Sequence, residues 1–352
     1  MECSLGFIYR RSPHIWMGPG KQPLCFVKRT KPPFIDSFEL PGGQKAKNES
    51  SRDCLQRELH EEIGINPSDC VHIESGQRVS NTKVHISFFK TIIHSYQNIE
   101  VKLNIFLVSL PEDYQLKSNE NKHIIFSNPF YDKEFKYLPS TYRILRLFEI
   151  PNELFIADDF NHFDIWKNIK HQVYSFRIRQ NNLNNDVYLD LINKYIGEII
   201  NSSDSNYAKS YLPHIHNHRL LIIDSVSIYE KLSNRYKDYV GGIHFNSVKL
   251  DNLNEHNIWR RHNELQYLSC SCHSKEDINK ARYLNFDFAL VSPILVSKGQ
   301  NKQIGWNGFK NLSLTAGLPI LALGGIIRNQ ESLRLSLLNG GSGIAGISKF
   351  WE

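Results

Sequence analysis

The stretch from Gly43 to Ile65, GQKAKNESSRDCLQRELHEEIGI, constrains this chain more than any other. Ser50 to Ile63 holds neither proline nor glycine, and Gly64 follows, which predicts a helix with a glycine stop. On that helix Glu58, Glu61 and Glu62 stand at i, i+3 and i+4, so three carboxylates share one face. Like charges at that spacing repel, and a helix gains no stability from stacking them unless a cation neutralises them. Hard cations that take oxygen ligands, Mg²⁺ or Mn²⁺, suit such a face. Leu55, Leu59 and Ile63 form the opposite stripe, for burial. Arg57 lies beside the cluster and can pair with Glu49, pinning the preceding loop to the helix. Pro41-Gly42-Gly43 supplies a tight turn whose backbone can approach a phosphate or a metal. Alone, ELHEE would be an ordinary solvated acidic face. Gly43, Glu49, Arg57 and Gly64 in register with it point to a functional cluster instead.

At 352 residues the chain exceeds one average domain, and two are expected. Hydrophobic residues make up 41% and aromatics 12%, ample for packed cores. The net charge of +6 is spread along the chain, with a pI near 8.8. That suits a handler of anionic substrates without calling for stable nucleic-acid binding. No apolar run approaches the about 20 residues of a membrane span. The N-terminus, MECSLGFIYRR, has no signal-peptide pattern. Cys3, Cys25, Cys54, Cys70, Cys270 and Cys272 fall in no metal-type pairing, and Cys270-Ser271-Cys272 is read as turning its thiols to opposite faces of a strand. Reduced thiols in a cytoplasmic protein are the expectation.

The first part reads as strands at Ser4–Arg10 and Leu24–Lys28 around a Gly/Pro-rich excursion at Met17–Gln22. The loop and helix above follow. Val84–His94 and Glu100–Ser109 read as a hairpin turning at Ser95–Asn98. His123–Ser127 is a further strand, and Leu138–Phe148 a closing helix. The pattern changes near Glu149–Asn152, so residues 1–150 and 151–352 are expected as separate domains. Beyond it come Leu154–Ala157, Val173–Arg179, Leu220–Asp224, Gly242–Phe245, Tyr267–Cys272, Phe288–Pro293, Pro319–Leu323 and Gly343–Ile347 as strands. Helical stretches such as Val187–Ile200, Lys275–Asn285 and Gln330–Leu338 alternate with them. This predicts a parallel (β/α)8 barrel of TIM type, with an open doubly wound sheet as the alternative.

Gly43, Glu49, Arg57-Glu58-Leu59, Glu61-Glu62 and Gly64-Ile65 resemble the signature of the Nudix hydrolases, a glycine, a later glutamate and then R-E-aliphatic-x-E-E-x-G-aliphatic, with no position missed. The resemblance implies an α/β/α sandwich that hydrolyses a nucleoside diphosphate linked to another group. It implies that Glu58, Glu61 and Glu62 carry the metal, that Gly43 adds a backbone carbonyl, that Arg57 orients Glu58, and that Glu49 buttresses Arg57. The general base stays open among the glutamates. Glu120 aligns with a further metal-binding glutamate of MutT-like members. Phe38-Glu39-Leu40-Pro41-Gly42-Gly43 most resembles that MutT group, which clears oxidised purine triphosphates such as 8-oxo-dGTP from the nucleotide pool. The products would be a nucleoside monophosphate and pyrophosphate. MutT-like members carry an asparagine after a late Leu/Phe-Pro segment. Here Leu138-Pro139-Ser140 leads to Thr141, which lacks the paired donor and acceptor of an amide, so base specificity is open.

Phe286–Pro293, Leu318–Ile326 and Asn339–Ser348 resemble the sixth, seventh and eighth strands of thiamine-phosphate synthase and its relative, the thiazole tautomerase. Phe176–Arg179, Leu220–Asp224, Gly241–His244 and Ser269–His273 match more weakly. The order, Nudix first and barrel second, resembles a bacterial fusion family of a MutT-like hydrolase with a thiamine-phosphate-synthase-like domain. The resemblance implies a phosphorylated thiamine-related ligand held through Gly324, Gly325 and Ser348, with Arg179 as a second anchor. It also implies an acid/base histidine at His273. The synthase's metal-binding carboxylates are replaced: Asp224-Ser225 stands for Asn-Asp, and Lys249 for the second aspartate. Arg177-Ile178-Arg179 keeps only the arginine of the early Gln-x-Arg. Val296-Ser297-Lys298 replaces a Pro-Thr-rich loop, and Glu352 follows strand eight without room for a last helix. Three readings follow: a hydrolase with a phosphate-binding, non-synthase barrel; a bifunctional enzyme with a synthase or tautomerase barrel; and a regulator that senses nucleotides or thiamine precursors.

Overall fold

The computed structural model describes residues 1–11, 23–32, 34–73, 80–96, 99–129, 132, 134–148, 150–202, 207, 219–259, 261, 266–295 and 303–352. The chain divides into two compact units, Met1–Glu149 and Ile150–Glu352. The excursion at Met17–Gln22, the centre of the Ser95–Asn98 turn and Val296-Ser297-Lys298 lie outside the described residues.

The first unit is built on a mixed sheet. Its strands are β1 (Glu2–Arg10), β2 (Leu24–Lys28), β3 (Phe38–Glu39), β4 (Gly42–Gln44), β5 (Cys70–His72), β6 (Val84–Tyr96), β7 (Ile99–Leu110) and β8 (Ile124–Ser127). They run in the order β3-β2-β1-β7-β6-β5, with β4 pairing on β1 and β8 on β2. The two longest, β6 and β7, pair antiparallel around a bulge between Phe88 and Lys90. β7 also runs parallel to β1 from Glu2↔Lys102 to Arg10↔Leu110. Helix α1 (Ser51–Ile63) lays Leu55, Leu59 and Ile63 against Ile8, Val27, Phe106 and Val108. Alternation puts Phe7 on the other face of β1. There it meets Phe148, at the end of helix α2 (Pro139–Leu147), with ring centroids 4.2 Å apart. The sheet is therefore covered from both sides.

Local chemistry sets the ends of α1. The Ser50 hydroxyl accepts from the Asp53 amide, and Gly64 closes the helix at φ +72°. A Cβ at Gly64 would also meet the Lys117 carbonyl oxygen at 2.1 Å, so only glycine fits.

The second unit is a closed barrel of eight parallel strands: β9 (Glu153–Ala157), β10 (Ser175–Ile178), β11 (Leu220–Ile223), β12 (Gly242–Phe245), β13 (Tyr267–Cys272), β14 (Phe288–Val291), β15 (Ile320–Ala322) and β16 (Gly343–Gly346). β16 pairs back on β9 and closes the ring. All eight expected strands are present, trimmed by a residue or two at some ends. Alternation sorts their side chains. Leu154, Ile156, Leu220, Ile222, Phe288, Leu290 and Leu321 pack together inside, while Phe155, Ala157, Phe176, Leu221 and Ile223 join the helices outside. Among those helices are Asn185–Ile200, Lys275–Tyr283 and Gln330–Leu338. After β16 comes a short turn, Ser348–Phe350. Trp351 then donates its indole N–H to the Ile156 carbonyl at 2.9 Å.

One sequence expectation is corrected here. Cys270 and Cys272 stand at i and i+2 on β13, so they share a face rather than oppose one another. Their sulfurs lie 3.7 Å apart, both buried in the outer core, and both are free thiols.

Each unit has its own apolar core, and we propose that the two are independent domains joined near residue 150. Residues 1–150 expressed alone should unfold in one cooperative transition, followed by near-ultraviolet circular dichroism. A fragment with no such transition would refute this.

Candidate active site

The acidic face of α1 is organised by one guanidinium. Arg57 donates from Nε to Glu49 Oε1 at 2.9 Å and from Nη2 to Glu49 Oε2 at 3.2 Å. Its Nη1 reaches Glu58 Oε1 at 2.7 Å and Glu61 Oε2 at 3.1 Å, and Nη2 reaches the Gln44 carbonyl at 3.2 Å. One side chain thus ties the loop, β4 and two of the three clustered carboxylates together. The Arg57 hydrogen bond, and then the Ala46 amide, draw the Glu49 carboxyl down to about 2. Glu58 is raised, because burial outweighs the pull of Arg57.

Glu62 is the buried member, 2% exposed. Its Oε2 accepts from the Gly42 amide at 2.8 Å, and its Oε1 takes a short hydrogen bond from the Lys122 ammonium. Burial pushes its carboxyl up to about 7, with Lys122 pulling part of the way back. Lys122 also pairs with Glu120 at 3.0 Å. Glu120 therefore joins the cluster through a lysine, on a loop that is itself tied to the end of α1. There the Asn119 amide donates to the Glu61 carbonyl at 3.1 Å and the Lys117 amide to the Ile63 carbonyl at 3.1 Å. Sequence reading missed Lys122, since its contact with Glu62 spans 60 residues and no local pattern announces it.

The turn before α1 has two working sides. Gly42, at φ +144°, has no room for a Cβ, which would meet the Ser4 carbonyl oxygen at 2.1 Å. A Cβ on Gly43 would meet Glu58 Oε1 at 2.3 Å, so this carboxylate sits directly against bare backbone. On the other side both glycines line a cavity of about 340 Å³, with Leu40, Tyr96, Leu138 and Thr141. Glu39 and Arg29, paired at 2.7 Å, are among its polar groups. Tyr96 is fixed by a 2.6 Å hydrogen bond to Ser140.

In the second unit Arg179, His273, Gly324, Gly325 and Ser348 all line one cavity of about 1060 Å³ at the C-terminal ends of the strands. His273 Nδ1 lies 2.8 Å from the Ser292 carbonyl oxygen, which can only accept, so Nδ1 donates to it. Asp224 gives both carboxylate oxygens to Arg177, at 2.6 and 2.7 Å. Ser225 caps the helix Val226–Lys231, accepting from the Ile228 amide. Sequence reading passed over two further groups here. His244, fully buried on β12, lies between Ser269 and Ser271. Asp158, Asp159 and His162 bring ligand atoms within 4.8 Å of one another, with His162 Nδ1 at 3.1 and 3.0 Å from the two carboxylates.

The NUDIX domain model matches residues 9–120, and the thiamine monophosphate synthase model matches residues 214–350. The chain joins a NUDIX domain to a thiamine monophosphate synthase-like barrel. The NUDIX domain makes the first unit a hydrolase of acid anhydrides. No curated protein matches the chain. Among solved structures, the thiamine phosphate pyrophosphorylase of Pyrococcus furiosus is 16% identical, with a TM-score of 0.40 over 56% of this chain and 86% of its own. A structure of MutT, from work on Aliivibrio salmonicida and Vibrio cholerae, is 18% identical, with a TM-score of 0.28 over 41% of this chain and 93% of its own. The E. coli dihydroneopterin triphosphate pyrophosphohydrolase is 14% identical, with a TM-score of 0.31 over 42% and 93%. No helix among the described residues is long and apolar enough to cross a membrane.

Nudix hydrolases use divalent metals, and the α1 carboxylates are oxygen donors of the kind one takes. Here, though, they are drawn to Arg57 and Lys122, and among the described residues only Asp158, Asp159 and His162 bring three ligand atoms within 4.8 Å of one another. Glu58, Glu61 and Glu62 offer hard oxygen ligands from one face, and the buried Glu62 depends on a cation, here Lys122. Removing that ammonium leaves Glu62 buried without its cation, so the carboxyl either stays charged at a cost or takes up a proton. Lys122→Met should lower stability by about 3 kcal/mol, the scale for breaking a buried ion pair. Added divalent cation should restore part of the loss. Urea denaturation with and without the metal measures both, and an unchanged midpoint would contradict this account of Glu62.

Proposed function

We propose that the NUDIX unit is a Mg²⁺-dependent pyrophosphohydrolase of a nucleoside triphosphate, with Mn²⁺ as an alternative metal. Its substrate is an oxidised purine nucleotide such as 8-oxo-dGTP, and its products are the nucleoside monophosphate and pyrophosphate. The observation that supports this most is the shared Gly42-Gly43 wall. One side holds the carboxylates Glu62 and Glu58, and the other lines an apolar cavity in the size range of small-ligand sites. A nucleoside in the cavity would present its phosphates to the acidic face.

When bound, a divalent cation supplies Lewis-acid neutralisation of phosphate oxygens and activation of water. The chain's own residues do the positioning. Arg57 holds Glu58 and Glu61 in place, and Glu49 holds Arg57. The Gly42 amide and Lys122 fix Glu62. Gly43, packed on Glu58, would add its carbonyl to the ligand set. Glu120, tethered by Lys122, is an outer carboxylate of the same site. Thr141 lines the cavity where the MutT-like pattern has an asparagine, so the base must be read by other groups, and Glu39 and Arg29 are at hand.

A screen of purified protein against nucleoside di- and triphosphates, oxidised purines included, tests the substrate. Glu61→Gln and Glu62→Gln should each cut turnover by more than about a hundredfold, the scale of losing a key transition-state stabiliser. Both should keep the wild-type circular dichroism spectrum. Wild-type turnover in both variants would overturn the assignment.

For the barrel we infer a site for a phosphorylated, thiamine-related small molecule, held through Gly324, Gly325 and Ser348 with Arg179 as second anchor. Synthase activity is not expected, since Ser225 is a helix cap and Asp224 is committed to Arg177. Incubation with the two thiamine phosphate precursors should give no product, and robust product would refute this. His273 is the acid/base candidate of the cavity.

A further inference from the structure

Every strand of the barrel sends a residue at or beyond its C-terminal end into the large cavity. Among the described residues its lining carries four cations, Arg177, Arg179, Lys249 and Lys349, and two carboxylates, Asp158 and Asp224. Asp224 is already engaged, whereas Asp158, at the end of β9, belongs to the separate group it forms with Asp159 and His162. Arg177 and Asp224 form a buried two-point pair, and the Gln180 amide adds a third contact to Asp224 at 3.3 Å. Asp158 is paired with His162. Lys249, from the short helix Ser247–Asp251, sets its ammonium 2.7 Å from the Asp224 carbonyl oxygen. An ammonium is thus fixed at the end of β11, beside the only carboxylate there.

His244, buried behind the lining residue Ser271, points the same way. Burial first, and then the charges of Arg177, Arg179 and Lys249, push the His244 imidazole well below its ordinary range. Three cations therefore act on one spot, and His244 stays neutral between Ser269 and Ser271. Gly324 and Gly325, also in the lining, take φ +95° and +68°, a turn open to glycine that leaves bare backbone facing the ligand space.

We propose that this cavity binds its phosphorylated ligand without a divalent cation, with Lys249 supplying the positive charge and Arg177 cancelling Asp224. This rests on the reading of the cavity as a phosphate site, and it names the ligand class as a phosphate or diphosphate ester taken metal-free. Magnesium has no vacant carboxylate at the end of β11, and it would meet the repulsion of a fixed ammonium.

Titration calorimetry of the full-length chain with inorganic pyrophosphate, first in EDTA and then in excess Mg²⁺, tests it. Binding should occur in EDTA, and the component of it that Arg179→Ala removes should not tighten with Mg²⁺. Lys249→Ala should weaken it by about tenfold or more, the scale of a lost charge-assisted contact. Lys249→Gln serves as a second variant if the first melts early. Binding that requires Mg²⁺ and disappears in Gly325→Val or Arg179→Ala would overturn the inference and leave the phosphate site standing. No binding in either condition, or binding indifferent to all these substitutions, would overturn both.

Discussion

Three carboxylates on one face of a single helix must be held against their own repulsion, and much of the first unit is arranged around that requirement. Arg57 meets it for Glu58 and Glu61 and is itself anchored by Glu49. Lys122 meets it for Glu62. These two cations come from different places, one inside the helix and one from a loop before β8. The loop before the helix, the turn at Gly42-Gly43 and the 117–122 segment are ordered by the same charges. A cluster held this way is pre-organised. Its carboxylates are tied to Arg57 and Lys122, and a metal would have to compete with these two cations for them.

Glu62 shows how far the arrangement departs from an ordinary acidic surface. A solvated glutamate would sit near its usual value, whereas burial holds this one near neutrality. A buried carboxylate of that kind is costly to keep. It persists where the surroundings over-determine it, as the Gly42 amide and Lys122 do here. The glycine matters twice, since it donates to Glu62 and leaves no side chain in the way of β1.

Legibility in the sequence followed locality. The stop of α1 at Gly64, its apolar stripe and its freedom from proline and glycine all rest on residues close in the chain, and the helix was readable from them. The barrel strands were readable because buried parallel strands are short apolar runs between helices. Their ends were read a residue or two long, as where Val173–Arg179 forms a ladder only over Ser175–Ile178. What escaped was non-local. Lys122 against Glu62, Tyr96 and Thr141 around one cavity, and Asp224 with Arg177 are meetings made by the fold. The face of Cys270 and Cys272 was local and was still misread, against the two-residue period of a strand.

If the two cavities hold phosphate as we propose, they do so in contrasting ways. The first unit gathers carboxylates, which repel a phosphate unless a metal stands between them. The barrel does the reverse. Its one carboxylate at the end of β11 is cancelled by Arg177, and fixed cations with a glycine turn face the space directly. A site of carboxylates responds to metal supply, because its ligand contacts exist only through the ion. A site of fixed ammonium and guanidinium groups does not, and it answers instead to salt, which screens exposed charges. A chain carrying both would keep the barrel loaded under conditions that silence the hydrolase. Metal depletion thus becomes the variable that separates the activities of the two units without altering a residue.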